Sequence, residues 1–270
     1  MNYRDILVHI DCAERCDSRL DLAISIARQH KALLTGISVI THAYFAPIDE
    51  NEKQRQAAAE QLFRQKCAAA GIENEWLGID WPVVGTTTAE ILNAYSHAKD
   101  LIIIGQAEGK EKGVSDLSDL PERLILGSGR PVLVVPFTGE FKSVGERVIL
   151  AWRSGRASAR AVHDAIPLLL NAGQINLLAI RPIGEKKPVE IVRQSDICSH
   201  LERYGINVKE ENLVTGDISI ANILMNYAWE NGCDLIVMGA YSQNPRGTHN
   251  IGPVAEYLLE HMTLPILFSH

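Results

Sequence analysis

Long apolar runs are missing from this chain. Its 270 residues carry only short Val/Ile/Leu stretches, and a bilayer-spanning helix needs ~20 apolar residues in a row. No membrane partner is expected. An excess of basic charge is missing as well. Lys and Arg number 26 against 33 Asp and Glu, a formal net charge of −7, which argues against nucleic acid as a partner. The acidic surplus lies mostly in residues 1–140, with 20 acidic against 14 basic residues, compared with 13 against 12 in residues 141–270. That balance does not exclude a single nucleotide, which needs only a local site. Cysteines are few and odd in number: Cys12, Cys16, Cys67, Cys198 and Cys233. Only the first two are close in sequence, so no disulfide framework is indicated. The opening MNYRDILVHID has no charged-then-apolar leader, and a cytoplasmic location is expected. Catalytic signatures are missing too. Neither G-x-S-x-G nor G-x-x-x-x-G-K-[ST] occurs, and no Ser-His-Asp or Cys-His set can be ordered. No catalytic residue is assigned.

What is present is a repeat. Asp100-Leu-Ile-Ile-Ile-Gly105 matches Asp234-Leu-Ile-Val-Met-Gly239 at an offset of 134, and Arg130-Pro-Val-Leu-Val-Val135 matches Leu264-Pro-Ile-Leu-Phe-Ser269 at the same offset. Ile6-Leu-Val-His-Ile10 matches Val148-Ile-Leu-Ala-Trp152 at an offset of 142. Matches in constant order indicate a tandem duplication with small insertions. The turn-rich link FTGEFKSV, Phe137 to Val144, separates a first domain over residues 1–138 from a second over 145–270.

Within each repeat, short β-branched runs alternate with segments of 3.6-residue apolar spacing. Leu20, Ile24 and Ala27 share one helical face, as do Ala161, Ala165 and Leu168. Residues 52–70 favour helix strongly, and Gly71 is a natural stop. Pro188 to Tyr204, followed by Gly205, holds that place in the second repeat. The order is strand, helix, strand, long helix, strand, helix, strand, loop, helix, strand. It predicts two tandem open α/β domains, each a mostly parallel five-stranded sheet with helices on both faces. Ligands in such sheets bind beyond the carboxyl ends of the strands, where strand order reverses.

The residues at those ends carry the chemistry. In the first repeat they are Asp11, after the first strand, and Gly105, after the fourth. In the second they are Arg153 and Gly239, the latter opening Gly239-x2-Ser242-x9-Gly252-Pro253. Glycines allow close backbone approach to phosphate, and a helix start favours anions. On these residues the chain resembles the universal stress protein family over nearly its whole length, as two family domains in tandem. ATP-binding members have the loop G-x2-G-x9-G-[S/T] and an Asp at the end of the first strand, near the adenine. The resemblance implies a stress-response regulatory protein with ATP or another adenine nucleotide as ligand, and a site at Gly239, Ser242, Gly252, Arg153 and Asp217. It also implies that the last strands, 131–136 and 264–268, pair so that the chain forms an intrachain pseudo-dimer. A larger oligomer stays open.

The pattern is incomplete. Ser242 replaces a glycine. Pro253 removes one N–H and one hydroxyl from the phosphate end, although proline suits a helix's first turn. Arg153 stands where the Asp is expected, and either meets a phosphate or carboxylate or is a surface residue. Arg246 and His249 lie in the loop and either add positive charge for an anion or are solvated. Asp217 either approaches the ribose or caps a helix, and Gly85-Thr86-Thr87-Thr88 is similarly cap-like. In the first repeat Glu108 and Asp119 would face a phosphate, and Leu120-Pro121-Glu122-Arg123 replaces the closing glycine motif, so family-type ATP binding is not expected there. His9-x2-Cys12-x3-Cys16 is a weak metal spacing, and no metal is predicted. Two other readings remain: a member that binds no nucleotide and works through protein or other small-molecule contacts, and a weak ATP hydrolase.

Overall fold

The computed structural model describes residues 2–11, 16–43, 49–83, 86–107, 117–183, 194–242 and 250–270. They divide into two compact units, Asn2–Ser143 and Val144–His270. None of the described helices is long and apolar enough to cross a membrane.

In the N-terminal unit the elements are β1 (Asp5–His9), α1 (Cys16–His30), β2 (Leu33–Ala43), α2 (Glu50–Ala70), β3 (Asn74–Val83), α3 (Thr88–Ser96), β4 (Leu101–Gly105), α4 (Leu120–Gly127) and β5 (Val132–Val135). Its sheet runs β3-β2-β1-β4-β5, with every pair parallel. The C-terminal unit repeats the plan with β6 (Arg147–Ala151), α5 (Arg156–Leu169), β7 (Gln174–Pro182), α6 (Gln194–Glu202), β8 (Lys209–Thr215), α7 (Ile220–Glu230), β9 (Leu235–Gly239), α8 (Pro253–His261) and β12 (Ile266–Ser269). Between β9 and α8 it adds two-residue strands β10 (Tyr241–Ser242) and β11 (Asn250–Ile251). Its five parallel strands lie in the order β12-β9-β6-β7-β8.

Handedness sets the layers. From β1 the chain steps outward to β2 and β3, then returns across β1 to β4 and β5. Right-handed crossovers therefore place α1 and α2 on one face and α3 and α4 on the other. The helices pack accordingly, α1 with α2 and α3 with α4. Strand order reverses between β1 and β4, and again between β6 and β9. Central strands covered on both faces must be apolar throughout. Ile102 to Ile104 and Leu235 to Val237 are all 1% exposed or less.

The matched aspartates of the two repeats perform one task. Asp100, just before β4, accepts the N–H groups of Arg4 at 2.7 Å and Asp5 at 3.1 Å. Asp234, just before β9, accepts those of Glu146 at 3.0 Å and Arg147 at 2.9 Å. Each carboxylate fastens the start of the neighbouring first strand by charge-assisted bonds.

Helix ends follow local chemistry. Gly71 closes α2 at φ 65, its N–H directed to the Ala68 and Cys67 carbonyls. Thr87 and Glu90 form a capping box at α3. Asp217 does not cap α7. Ser219 does, its hydroxyl accepting from the Asn222 N–H at 3.1 Å. In the second repeat the described helix is Gln194–Glu202, ended by Gly205 at φ 77. Residues 184–193, which include the start expected at Pro188, lie outside the described residues.

Candidate functional site

In the C-terminal unit β6 and β9 end side by side. After β6, Trp152 stays in the sheet pattern through its N–H to Leu178 O at 2.9 Å. The chain then turns through Arg153, Ser154 and Gly155. The Arg153 N–H is 3.4 Å from Ser158 Oγ, and Gly155 opens α5 with no side-chain cap. This helix is strongly amphipathic, burying Ala157, Ala161, Val162 and Ala165. Its first turn lies directly over the end of β9. A Cβ placed on Gly239 would be 2.6 Å from Ala157 C and 2.7 Å from Ser158 N. Glycine is needed there for the helix to approach, whatever the ligand.

Beyond Gly239 the chain pairs briefly with itself. Tyr241 faces Ile251 and Ser242 faces Asn250 in the antiparallel β10–β11 ladder. The Ala240 N–H bonds to Ser269 O at 3.0 Å, and the Gly252 N–H to Ala240 O at 2.9 Å. The ladder thus returns Gly252 to the end of β9, where α8 starts with Pro253 in its first turn.

Between the starts of α5 and α8 lies a cleft of about 850 Å³, bordered by Arg153, Arg156, Gly239 and Gly252. Its apolar wall includes Leu178, Ile180, Ile220, Leu224 and Met238. The volume is that of a small-molecule site, and so is the pairing of apolar wall and few polar groups. Among the described lining residues there is no Asp, Glu, His or Cys. Of the residues singled out from the sequence, the structure brings Arg153, Gly239 and Gly252 together here. Asp217 is not among the lining residues. The Ser242 side chain, Arg246 and His249 lie outside the described residues.

The N-terminal unit places different chemistry at the same switch point. Arg19, from the first turns of α1, donates through Nη2 to Asp11 Oδ1 at 2.6 Å and to Cys16 Sγ at 3.2 Å. It is 4% exposed. Its guanidinium lies over Gly105 and contacts the place a Cβ would take there. Burial disfavours the charge, but Cys16 and Asp11 outweigh it and hold the guanidinium protonated. The 142-residue offset aligns Arg19 with the buried Ala161. Asp11 thus lies at the strand end, already engaged by the chain's own cation. Asp119 accepts from Arg123 Nε at 2.7 Å. Glu108 and Cys12 lie outside the described residues. Among the described residues no group of three or more His, Cys, Asp and Glu is placed to hold a metal ion.

Sequence reasoning missed Arg19 and the apolar wall of the cleft. The signal for Arg19 was its place on one helical face with Ala23, Ile26 and His30, all of them buried. A charge heading an apolar stripe needs a partner at the strand ends.

His9, next to this cluster on β1, is 3% exposed. Burial lowers its pKa to about 4, with Asp11 opposing and Arg19 assisting the fall. The folded protein thus binds fewer protons than the unfolded chain between pH 6.5 and 4. Stability is full above the unfolded value and is lost as pH falls through that window. Between pH 7 and pH 5 this group should cost about 2 kcal/mol. Denaturant unfolding at both pH values checks it: His9→Leu should lessen the loss by that amount, and an equal loss in both proteins would refute the assignment.

Residues 156–270 match the model of the Universal stress protein family. No curated protein matches the chain. Among solved structures, the chain is similar to a universal stress protein from Archaeoglobus fulgidus, at 16% identity and a TM-score of 0.72, covering 98% of this chain and 97% of that one. It is also similar to a putative universal stress protein from Pseudomonas aeruginosa, at 15% identity and a TM-score of 0.65, covering 99% and 93%. These likenesses establish the shared fold, and the family match rests on the C-terminal repeat. Residues 156–270 are thus similar to the universal stress protein family, and the whole chain shares the α/β fold of a solved universal stress protein.

Proposed function

We propose that the chain is a cytoplasmic, stress-responsive binding protein that holds an adenine nucleotide in the cleft of its C-terminal repeat. The observation that carries this reading is the cleft itself. It opens at the β6–β9 switch point, where open parallel sheets bind ligands, and it joins an apolar wall to two arginines. The wall suits a purine ring, and the arginines suit phosphate. The absence of Asp, Glu, His and Cys from the described lining supports binding and regulation rather than turnover, because neither a general base nor a metal carboxylate pair is supplied there.

Calorimetric titration of ATP and AMP, with and without Mg²⁺, tests the reading. One site per chain is expected, abolished by Ile220→Trp, which fills the cleft from its α7 side. No heat at millimolar nucleotide, together with no nucleotide carried through purification, would overturn it.

A further inference from the structure

We infer that the cleft of the C-terminal repeat takes the ligand's anionic group at the start of α5, against Arg153 and Arg156, and not at the start of α8. The inference rests on the nucleotide reading above and fixes the direction in which the ligand lies.

The resemblance to ATP-binding relatives points to α8 as the phosphate end. In this chain that end has lost two donors. Pro253 has no N–H. The Gly252 N–H is committed to Ala240 O at 2.9 Å. Glu256 stands in the first turn of α8. An acidic residue in a helix's first turn also offsets the helix dipole that would otherwise favour phosphate.

The opposite end has the opposite character. Arg153 takes the strand-end position at which an adenine-side Asp is expected, and Arg156 is the first residue of α5. Both line the cleft, and no described lining residue is acidic. An anion at this end meets two guanidinium groups, each able to make paired hydrogen bonds to phosphate oxygens. The ligand's apolar part then lies toward Leu178, Ile180, Ile220, Leu224 and Met238. Both arginines are exposed, so their attraction is screened by salt.

The ligand class is therefore a phosphate monoester of a flat or apolar body, with a nucleoside monophosphate the natural probe. The test titrates AMP and adenosine into the wild type and into R153Q/R156Q, at low and high salt. Wild type should bind AMP about tenfold or more tightly than adenosine at low salt, and the margin should shrink at high salt. The double variant should lose the margin and keep its affinity for adenosine, which also reports that the cleft is intact. Arg153→Lys combined with Arg156→Gln should recover part of it.

A double variant that still prefers AMP would overturn the inference and leave the nucleotide reading standing. So would a wild type that binds AMP and adenosine equally, or a variant in which both fall together. Failure of both ligands to bind the wild type would overturn the nucleotide reading and this inference with it.

Discussion

Replacing Arg19 by alanine should lower the unfolding free energy by about 3 kcal/mol, the scale for removing one member of a buried ion pair. The side chain fills the end of the β1–β4 junction, touches Gly105 and bonds to Asp11 and Cys16. Its loss leaves Asp11 without that cation and a void over Gly105. Asp11 is 21% exposed at its side chain, so water recovers part of its charge and keeps the cost at the lower end of the range. Arg19→Met should be milder, since it keeps the volume and loses the charge. Urea unfolding of the wild type and both variants reads the difference. Equal stability of wild type and Arg19→Ala would show that the pair contributes nothing net. The same variants carry a functional contrast. Arg19 does not line the cleft of the C-terminal repeat, so Arg19→Ala should leave the nucleotide stoichiometry of that repeat unchanged.

Gly239→Val should be at least as severe, costing about 3 kcal/mol or more. Overpacking usually costs ~1–3 kcal/mol where side chains can yield. Here the obstacle is the backbone of Ala157 and Ser158, under 3.0 Å from the new Cβ, so the first turn of α5 must move. That turn carries Arg156 into the cleft, and ligand binding should fall together with stability. Gly216→Ala is the control. Among the described residues its Cβ would meet only Ile183 Cδ1 at 3.6 Å, an ordinary contact, and a change within about 0.5 kcal/mol is expected. Thermal melts alongside AMP titration separate the two outcomes. A stable Gly239→Val protein that binds AMP normally would mean that α5 yields more easily than its packing indicates. For the same reason Gly239 is a poor position for probing phosphate contacts alone.

These cases show what a sequence can disclose. Periodicity and duplication announced the architecture because strands covered on both faces must be apolar and helices must bury one stripe. The paired Asp100 and Asp234 were visible as matched letters, yet their task was not. Binding the N–H groups of a strand more than 80 residues away is a tertiary event. Gly71 was legible because a left-handed helix end is local chemistry. At α7 the cap lies at Ser219, two residues beyond Asp217, and only the backbone reveals it. The cleft was half legible. Gly239 and Gly252 lie on a spaced motif and Arg153 at a matched strand end, whereas Leu178, Ile180 and Ile220 reach the site from other strands and helices. Arg19 reads as an ordinary helix charge until Gly105 is seen beneath it.

The aspartate latches also act as a gauge. In both repeats five residues separate the carboxylate anchor from the strand's open end, Leu101–Gly105 in one and Leu235–Gly239 in the other. At ~3.3 Å per residue the terminal glycine is metered to about 17 Å from its anchor. Inserting one residue into β9 would invert the strand's inward and outward alternation and carry Gly239 past the helix it was spaced to meet. The depth of the cleft is thereby calibrated from the far side of the sheet, by a group that never touches a ligand.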